Sequence, residues 1–405
     1  MCLPRSSRVL PGAEKMVFPI DGTSGLPDVL EALRPMTGDP ARPLPVPLTL
    51  LTGFLGAGKT TLLNRLLKDP ALAGTLVLVN EFGEIGLDHL MIEGVEENMI
   101  LLESGCLCCT IRDDLIVTLE DLLRGRDNGR IAPFSRLVIE TTGLADPAPI
   151  LNVLINHPYL AMRFRLDGVV TLVDAVNGMA TLDAHEEARR QVVAADRLVL
   201  TKAELAAAND VAALRQRLDG LNPGIAILSP DAPAAELIDA GLYDLAKQPQ
   251  ALRRWLAEDA LPGHHHHDHD HHHGDHHHHH GHDHAHGQDP HDVNRHDASI
   301  RAFVLTAEQP VARTTFELFW TLLRSIHGPR LLRLKGLVDI AGEPGRPLLV
   351  HAVQQILHPP IQLDAWPDAD HRSRLVLIVR DIEEDTVRKL WSAFLGQATA
   401  QPQTA

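Results

Sequence analysis

A glycine-rich stretch of nine residues limits the folds open to this chain more than any other feature. It reads Gly-Phe-Leu-Gly-Ala-Gly-Lys-Thr-Thr and comprises Gly53, Phe54, Leu55, Gly56, Ala57, Gly58, Lys59, Thr60 and Thr61. The spacing fits the phosphate-binding loop, in which glycines let the backbone curl and point its N–H groups into one concavity. Lys59 would contact the outer phosphates of a nucleotide, and the Thr60 hydroxyl would contact Mg²⁺.

The residues on either side supply the setting that such a loop requires. Residues 45–51 form a short apolar run typical of a buried strand, and residues 61–68 place leucines on one face of a helix. The start of that helix would present the positive end of its dipole to the anion. The sequence therefore predicts a strand–loop–helix unit that binds a nucleotide.

Apolar strands and amphipathic helices alternate from residue 46 to about residue 228. This alternation predicts an α/β fold of the P-loop type, with a parallel sheet covered by helices on both faces. Further strands and helices near the end predict a small α+β domain. We divide the chain into a flexible tail (1–45), a P-loop domain (46–262), a His/Asp-rich linker (263–297), the α+β domain (298–397) and a short tail (398–405).

An acidic residue ends the apolar strand at 137–140. This residue is Glu140, and Gly143 follows three positions later. In nucleotide switches an acid at this place lies near the Mg²⁺ ion, and the glycine N–H reaches the terminal phosphate. We therefore predict that Glu140 acts in catalysis with Lys59 and Thr60, and that Gly143 contacts phosphate.

A candidate base-recognition loop, Thr201-Lys202-Ala203-Glu204, follows the strand at 197–200. In guanine-specific proteins a loop at this place carries Asn-Lys-x-Asp, whose carboxylate accepts two hydrogen bonds from guanine. Glu204 offers the same two oxygens on a longer side chain, and the stem of Lys202 can lie over the base. The sequence therefore favours GTP, through a match that is imperfect at Thr201 and Glu204.

Three of the four cysteines lie together, at Cys106, Cys108 and Cys109. Thiols this close cannot form a disulfide framework, and in a reducing compartment they are typical of metal ligands or redox thiols. Cys-x-Cys-Cys gives a soft cation two or three thiolates, and Glu84, after a neighbouring strand, would add a carboxylate. We predict a cytoplasmic protein with a Zn²⁺ site, which Co²⁺ would also fit. Structural or redox thiols stay the alternative.

Residues 263–297 differ in composition from the rest of the chain. Eighteen of the 25 histidines lie between His264 and His296, interleaved with aspartate and glycine. Such residues cannot form a packed core, whereas many imidazoles on a tether bind Zn²⁺, Co²⁺ or Ni²⁺ at weak, interchangeable sites. We interpret this His tract as a segment that gathers metal, with an inert polar linker as the alternative.

Charge and hydropathy argue against two classes of partner. The formal net charge of −16 argues against a nucleic-acid surface. The sequence has no run of about 18 apolar residues, and we therefore expect no membrane span. The basic residues near the N-terminus are not followed by an uninterrupted apolar stretch, and we expect no secretory signal.

The chain resembles the CobW-like family of metal-handling GTPases in an ordered set of motifs. These are the phosphate-binding loop, Asn-Glu-Phe-Gly-Glu (80–84), Gly-Cys-Leu-Cys-Cys (105–109) and Ile-Glu-Thr-Thr-Gly-Leu-Ala-Asp-Pro (139–147). The likeness runs from about residue 46 to residue 395 and includes Leu-Leu-Arg-Leu-Lys-Gly (331–336). It implies a GTPase metallochaperone that couples GTP, Mg²⁺ and Zn²⁺ binding and supplies a client metalloprotein. Independently of the resemblance, we also consider a homodimer.

The resemblance implies one residue role and leaves the metal open. By this likeness Glu140 is the family's characteristic acid in place of aspartate. Val79 stands where many members carry a second glutamate, so one carboxylate ligand is missing. Three other functions stay open: a cobalt-delivery GTPase for cobalamin synthesis, a passive His-rich metal store, and a P-loop metabolic kinase.

Overall fold

Parallel strands make up the first sheet of the computed structural model, which describes residues 44–81, 99–103, 110–238, 252, 256 and 300–398. The strands are β1 (Val46–Gly53), β2 (Thr75–Glu81), β3 (Met99–Glu103), β4 (Arg136–Glu140), β5 (Phe164–Asp174), β6 (Arg197–Thr201) and β7 (Ala226–Leu228). Their order is β3-β2-β4-β1-β5-β6-β7, and all neighbouring pairs are parallel. The strand that leads into the glycine-rich loop, β1, therefore lies in the middle of the sheet.

Helices connect these strands and cover both faces of the sheet. They are α1 (Lys59–Leu67), α2 (Thr110–Asp127), α3 (Ala148–Asn156), α4 (Pro158–Arg163), α5 (Gly178–Ala184), α6 (Glu186–Ala194), α7 (Ala208–Leu221) and α8 (Ala234–Ile238). Along β1, Leu48 and Leu50 pack in the core that contains α2 and α3, whereas Leu51 packs in the core that contains α1. Successive side chains of a strand point to opposite faces, so a strand buried on both faces is apolar throughout.

A second, antiparallel sheet follows. Its strands are β8 (Ile300–Ala307), β9 (Leu331–Val338), β10 (Leu348–Val353), β11 (Ile356–Leu357), β12 (Ile361–Gln362) and β13 (Ser373–Arg380). The order is β11-β10-β9-β13-β8, and β12 pairs with β10. Helices α9 (Arg313–His327) and α10 (Glu384–Ala398) pack together, with the ring centroids of Phe319 and Trp391 4.7 Å apart.

The predicted fold class is confirmed, because a parallel sheet with helices on both faces precedes a smaller α+β region. The sequence also predicts one strand over residues 348–357, and this prediction is wrong. The apolar run at 348–357 is not continuous, since Gln354 has a left-handed φ of 52° and turns the chain back from β10 into β11. The sequence pattern does not show α4 and α5, because helices of six and seven residues have too few turns to establish a periodicity.

The predicted domain boundaries stay predictions. Residues 1–43, the His tract and residues 399–405 lie outside the described residues. Within the described ranges, no helix combines the length and apolar character needed to cross a membrane.

Buried charges hold the second sheet against the first. Arg333, on β9, is 1% exposed, and its guanidinium donates to a carboxylate oxygen of Asp196 at 2.6 Å and to two backbone carbonyls at the end of α6. Lys335 lies two residues further on and donates to the carbonyl oxygen of Pro223 at 2.7 Å. Asp196 directly precedes β6, so the second sheet is anchored to the segment that leads to the candidate base loop.

Two histidines meet in the same region, although the sequence separates them. The four histidines at 327, 351, 358 and 371 look too scattered to act together, but the rings of His351 and His358 are buried with centroids 4.3 Å apart. Burial lowers the pKa of His351 well below its usual value and lowers the pKa of His358 to about 4. Both imidazoles are therefore neutral in the folded protein at neutral pH.

We expect this burial to reduce stability as the pH falls from 6.5 towards 4. An unfolded histidine takes up a proton near pH 6.5, whereas folded His358 does so near pH 4, so the unfolded state binds more protons between these values. At pH 5 His358 alone should cost about 2 kcal/mol of unfolding free energy. Urea denaturation measures the free energy of unfolding at pH 7.5 and at pH 5. The decrease between these two pH values should be about 2 kcal/mol smaller in His358→Asn than in wild type.

The matched control is His371→Asn, because His371 is exposed. Its loss of stability between the two pH values should equal that of wild type. Equal losses in His358→Asn and wild type would contradict the burial argument.

Candidate functional site

The predicted nucleotide residues meet at one edge of the first sheet. β1 ends at Gly53 and leads into the glycine-rich loop, β4 ends at Glu140, and β6 ends at Thr201. In open parallel sheets, ligands bind at the carboxyl ends of the strands. The structure thus brings the phosphate loop, the acidic residue and the base loop together, although long stretches of sequence separate them.

The glycine-rich loop has the backbone that its residues favour. Gly56 and Gly58 have φ angles of 73° and 88°, which glycine adopts without steric cost. α1 begins at Lys59, so the unpaired N–H groups of its first turn face the loop. The ammonium group of Lys59 donates to the carbonyl oxygens of Gly53 at 2.9 Å and Phe54 at 3.2 Å, which holds its charge at the loop.

Thr60 and Glu140 form an oxygen pair that suits Mg²⁺. The Thr60 hydroxyl donates to a carboxylate oxygen of Glu140 at 3.2 Å, and Glu140 is 5% exposed. Hydroxyl and carboxylate oxygens are the donors that this hard cation prefers. The pair lies in the first turn of α1 and at the end of β4, next to the phosphate loop.

Gly143 lies against the phosphate loop. A Cβ at this position would come within 2.6 Å of the backbone nitrogen of Leu55, so no larger residue fits without moving the loop. Just before it, the Thr141 hydroxyl donates to the Thr52 hydroxyl at 2.8 Å, and the Thr141 N–H donates to the Leu51 carbonyl oxygen at 2.9 Å. The segment after β4 is therefore tied to the strand that carries the loop.

The candidate base loop also contacts the phosphate loop. The Thr201 hydroxyl donates to the carbonyl oxygen of Ala57 at 2.9 Å, and the Lys202 ammonium donates to the carbonyl oxygen of Gly56 at 2.8 Å. Lys202 has a left-handed φ of 57° and precedes a short 3₁₀ helix that carries Glu204. Glu204 is exposed, as a carboxylate that meets a ligand from solvent must be.

Asp174, at the end of β5, is a site residue that the sequence analysis missed. Its carboxylate accepts hydrogen bonds from the Lys202 ammonium and the Val176 N–H, both at 2.8 Å. Burial raises the pKa of Asp174, but hydrogen bonds from Lys202, Asn177 and the backbone outweigh it, so the net pKa is lowered. An ionised Asp174 therefore orients Lys202. The available signal was an acid at the end of an apolar strand, the same signal that identified Glu140.

Asp146 joins the segment after β4 to the second sheet. Its carboxylate accepts from the side-chain amide of Gln354 at 3.1 and 3.2 Å, and from the guanidinium of Arg190 at 3.0 Å. The sequence predicts Asp146 as the N-cap of α3, but Pro147 occupies the N-cap position. Asp146 still accepts the Ala148 N–H at 2.9 Å. The contact with Gln354 joins residues 208 positions apart, so no local pattern reveals it.

The predicted zinc ligands Glu84, Cys106, Cys108 and Cys109 lie outside the described residues. In the part of the chain that the structure describes, no group of three or more His, Cys, Asp or Glu side chains is arranged to hold a metal ion. The strands that precede the predicted ligands are described, and their final residues, Glu81 and Glu103, are register partners.

Comparison with known proteins matches two family models to this chain. The model described as CobW/HypB/UreG, nucleotide-binding domain, matches residues 47–229. The model described as cobalamin synthesis protein cobW C-terminal domain matches residues 300–395. The two matches contain all the strands of the first sheet except the first residue of β1, and all the strands of the second sheet.

Several curated relatives match most of the chain. The zinc chaperone YjiA of Escherichia coli (strain K12) is 32% identical over 355 residues, which cover 87% of this chain and 98% of the relative. The zinc chaperone CobW of Sinorhizobium sp. is 29% identical, with coverage of 86% and 97%. The zinc-regulated GTPase metalloprotein activator 1 of Schizosaccharomyces pombe is 38% identical over 185 residues, which are 44% of each chain.

A solved structure has the same architecture. The crystal structure of the Zn(II)-bound YjiA GTPase from E. coli matches with a TM-score of 0.59 and 27% identity. The match covers 86% of this chain and 99% of that chain, so it is not confined to one of the two sheets.

Proposed function

This chain belongs to the CobW/HypB/UreG family of P-loop GTPases, and we propose that it couples GTP hydrolysis to zinc delivery through Cys106, Cys108, Cys109 and Glu84. As a family member it is a GTPase metallochaperone that uses GTP and Mg²⁺ and handles zinc. Zinc is the ion that the protein would deliver. The zinc site, the transfer of zinc and the existence of a client protein belong to the proposal.

The observation that carries the proposal is the position of two strand ends beside the phosphate site. β2 ends three residues before Glu84, and β3 ends three residues before Cys106. The final residues of these strands, Glu81 and Glu103, are paired, and β4, which ends at Glu140, is the other neighbour of β2. The strand ends that precede the predicted ligands therefore lie at the edge of the sheet that holds the nucleotide residues.

We assign the nucleotide residues separate roles. Thr60 and Glu140 would hold Mg²⁺, which would neutralise charge at the phosphates. Lys59 binds the outer phosphates, and Gly143 responds to them through its N–H because it lies against the loop. Lys202, oriented by ionised Asp174, covers the base.

Zinc release would follow from movement of the segment after β4. GTP would favour a closed form that holds zinc, and hydrolysis would release the ion to a client. Such coupling requires different zinc affinities in the GTP and GDP states, because a ligand with equal affinity for two states shifts neither. The His tract would collect zinc near the site.

GTP turnover measured during titration with Zn²⁺, Co²⁺ and Ni²⁺ tests the proposal. We expect Zn²⁺ to change the turnover of wild type by about fivefold or more, a typical allosteric coupling. Cys108→Ala should lose most of this response. Cys2→Ala is the matched control, because it removes a thiol outside the Cys-x-Cys-Cys motif, and it should respond as wild type. Turnover that ignores zinc in wild type, or zinc affinity that is equal with GTP, GDP and no nucleotide, would contradict the proposal.

Cobalt delivery for cobalamin synthesis is the second candidate function. The description of the family model that matches residues 300–395 favours it, and Co²⁺ suits the same thiolate ligands. In the same titration this function predicts that Co²⁺ changes turnover at lower concentration than Zn²⁺ does.

A further inference from the structure

A polar cavity lies between α6 and the second sheet, outside the predicted nucleotide site. Its volume is about 370 Å³. Its charged lining residues are Glu186, Arg189, Arg190, Arg330, Arg380 and Asp381. Three separate elements supply the arginines: α6, the 3₁₀ helix Gly328–Arg330 before β9, and the end of β13. We call this cavity the arginine pocket.

The arginine pocket is positive on a chain that is strongly acidic. Four guanidinium groups face two carboxylates in the pocket, whereas the whole chain has a formal charge of −16. Guanidinium groups brought together by folding repel one another unless anions lie between them. The fixed fork of an arginine matches the oxygens of phosphate and carboxylate groups. An acidic chain that gathers arginines in a cavity therefore fits an anionic ligand there.

The carboxylates of the pocket do not occupy all four arginines. Glu186 accepts from Arg190 at 2.6 Å and from Arg380, and hydrogen bonds from Arg380 and Arg190 lower its pKa. Arg189 instead donates to the backbone carbonyl oxygens of Leu182 and, at 3.2 Å, Asp183, and Arg330 donates to the backbone carbonyl oxygen of Asp381 at 3.4 Å. Within the described part of the chain, neither has a carboxylate at salt-bridge distance. Two positive charges thus remain available to an anion.

We propose that the arginine pocket binds a small anion that carries phosphate groups. A diphosphate has enough oxygens to accept from several guanidinium groups at once, and the volume lies within the range of small-molecule sites. Ile300 and Leu332 add an apolar wall that would suit the base of a nucleotide. The shared chemistry is the phosphate group, and its source is either free pyrophosphate or a nucleotide. This inference goes beyond the proposed zinc function and does not depend on the thiols.

One side chain, Arg190, connects the pocket to the segment after β4. Arg190 donates to Glu186 in the pocket and also, at 3.0 Å, to Asp146, which lies six residues after Glu140. An anion that attracts Arg190 competes with its hold on Asp146. Occupancy of the pocket would therefore alter the position of the segment that contains Gly143.

Calorimetric titration with inorganic pyrophosphate tests the binding site. The full chain is first loaded with Mg²⁺ and a non-hydrolysable GTP analogue and freed of excess Mg²⁺, so that the phosphate loop is filled. We expect one pyrophosphate per chain. Arg330→Gln should weaken binding about tenfold or more, because one charge-assisted contact is lost. Arg189→Gln serves as a second variant and should act in the same way.

The matched control is Arg324→Gln, an exposed arginine of α9 outside the pocket, which should bind as wild type. ADP is the second probe: tighter binding than pyrophosphate identifies a nucleotide as the source, and equal or weaker binding identifies free pyrophosphate. The proposal is overturned if pyrophosphate does not bind the loaded protein, or if Arg330→Gln and Arg324→Gln bind it equally. It is also overturned if a hexaglutamate peptide binds as tightly as pyrophosphate.

Discussion

We expect Lys59→Ala to lower GTP turnover by about a hundredfold or more, the typical effect of removing one preorganised charge from a reacting group. Lys59 begins α1, and its ammonium group already lies at the phosphate loop, on the carbonyl oxygens of Gly53 and Phe54. When the nucleotide binds, this charge would meet the outer phosphates as negative charge builds up on them. Steady-state phosphate release at saturating GTP and Mg²⁺ measures the loss.

The matched control for this prediction is Lys68→Ala. Lys68 caps the other end of the same helix and is exposed, so its removal should leave turnover within about twofold of wild type. Equal turnover in both variants would contradict the role of Lys59. The pair also separates a GTPase metallochaperone from a passive metal store, because a store would retain its cellular zinc phenotype in Lys59→Ala and lose it only when residues 264–296 are deleted.

Local sequence predicts that the residues on the phosphate side of the candidate site lie together, because they belong to short segments. The glycines, Lys59 and Thr60 are neighbours in one loop and one helical turn, so spacing alone indicates their arrangement. Glu140 and Thr201 are predictable for a related reason. Each ends an apolar strand, and the carboxyl ends of parallel strands share one edge. The alternation of strands and helices predicts that sheet.

Contacts between distant segments could not be predicted from one sequence. Asp174 meets Lys202 because β5 and β6 are adjacent, and adjacency in a sheet is a property of topology. Gln354 directly follows β10, and its own left-handed conformation turns the chain there, within a run that looks like one strand. This turn lets its side chain reach Asp146. In the sequence, Arg333 looks like a solvent-facing side chain of an alternating strand. In the structure it is buried against the end of α6 and Asp196.

These distant contacts converge on the two segments that flank the nucleotide. Gln354 holds the segment after β4 through Asp146, and Arg333 holds the segment before β6 through Asp196. The first segment carries Gly143, and the second leads to Lys202. The second sheet is therefore placed to respond to the phosphate end and the base end of the site together. A hydrolysis event that moves either segment must strain a polar contact with the second sheet.

Arg333→Met should destabilise the chain by about 3–5 kcal/mol, the typical cost of breaking a buried ion pair on one side. The substitution leaves the Asp196 carboxylate, which is 7% exposed, without its guanidinium partner at 2.6 Å. Two backbone carbonyls at the end of α6 lose a donor at the same time. The free energy of unfolding in urea, followed by tryptophan fluorescence, measures this loss.

Arg301→Met is the matched control, because Arg301 belongs to the same sheet and pairs with Glu383 at 2.7 Å in an exposed position. An exposed pair contributes about 0–1 kcal/mol, so the control should lose little stability. Adding Asp196→Asn to Arg333→Met should recover part of the loss. The buried charge is then gone, and the amide oxygen can still accept the Val169 N–H, now 2.9 Å from the carboxylate. If Arg333→Met loses no more stability than Arg301→Met, the buried pair does not anchor the second sheet. That result would also contradict coupling between the second sheet and the segment before β6 through Asp196.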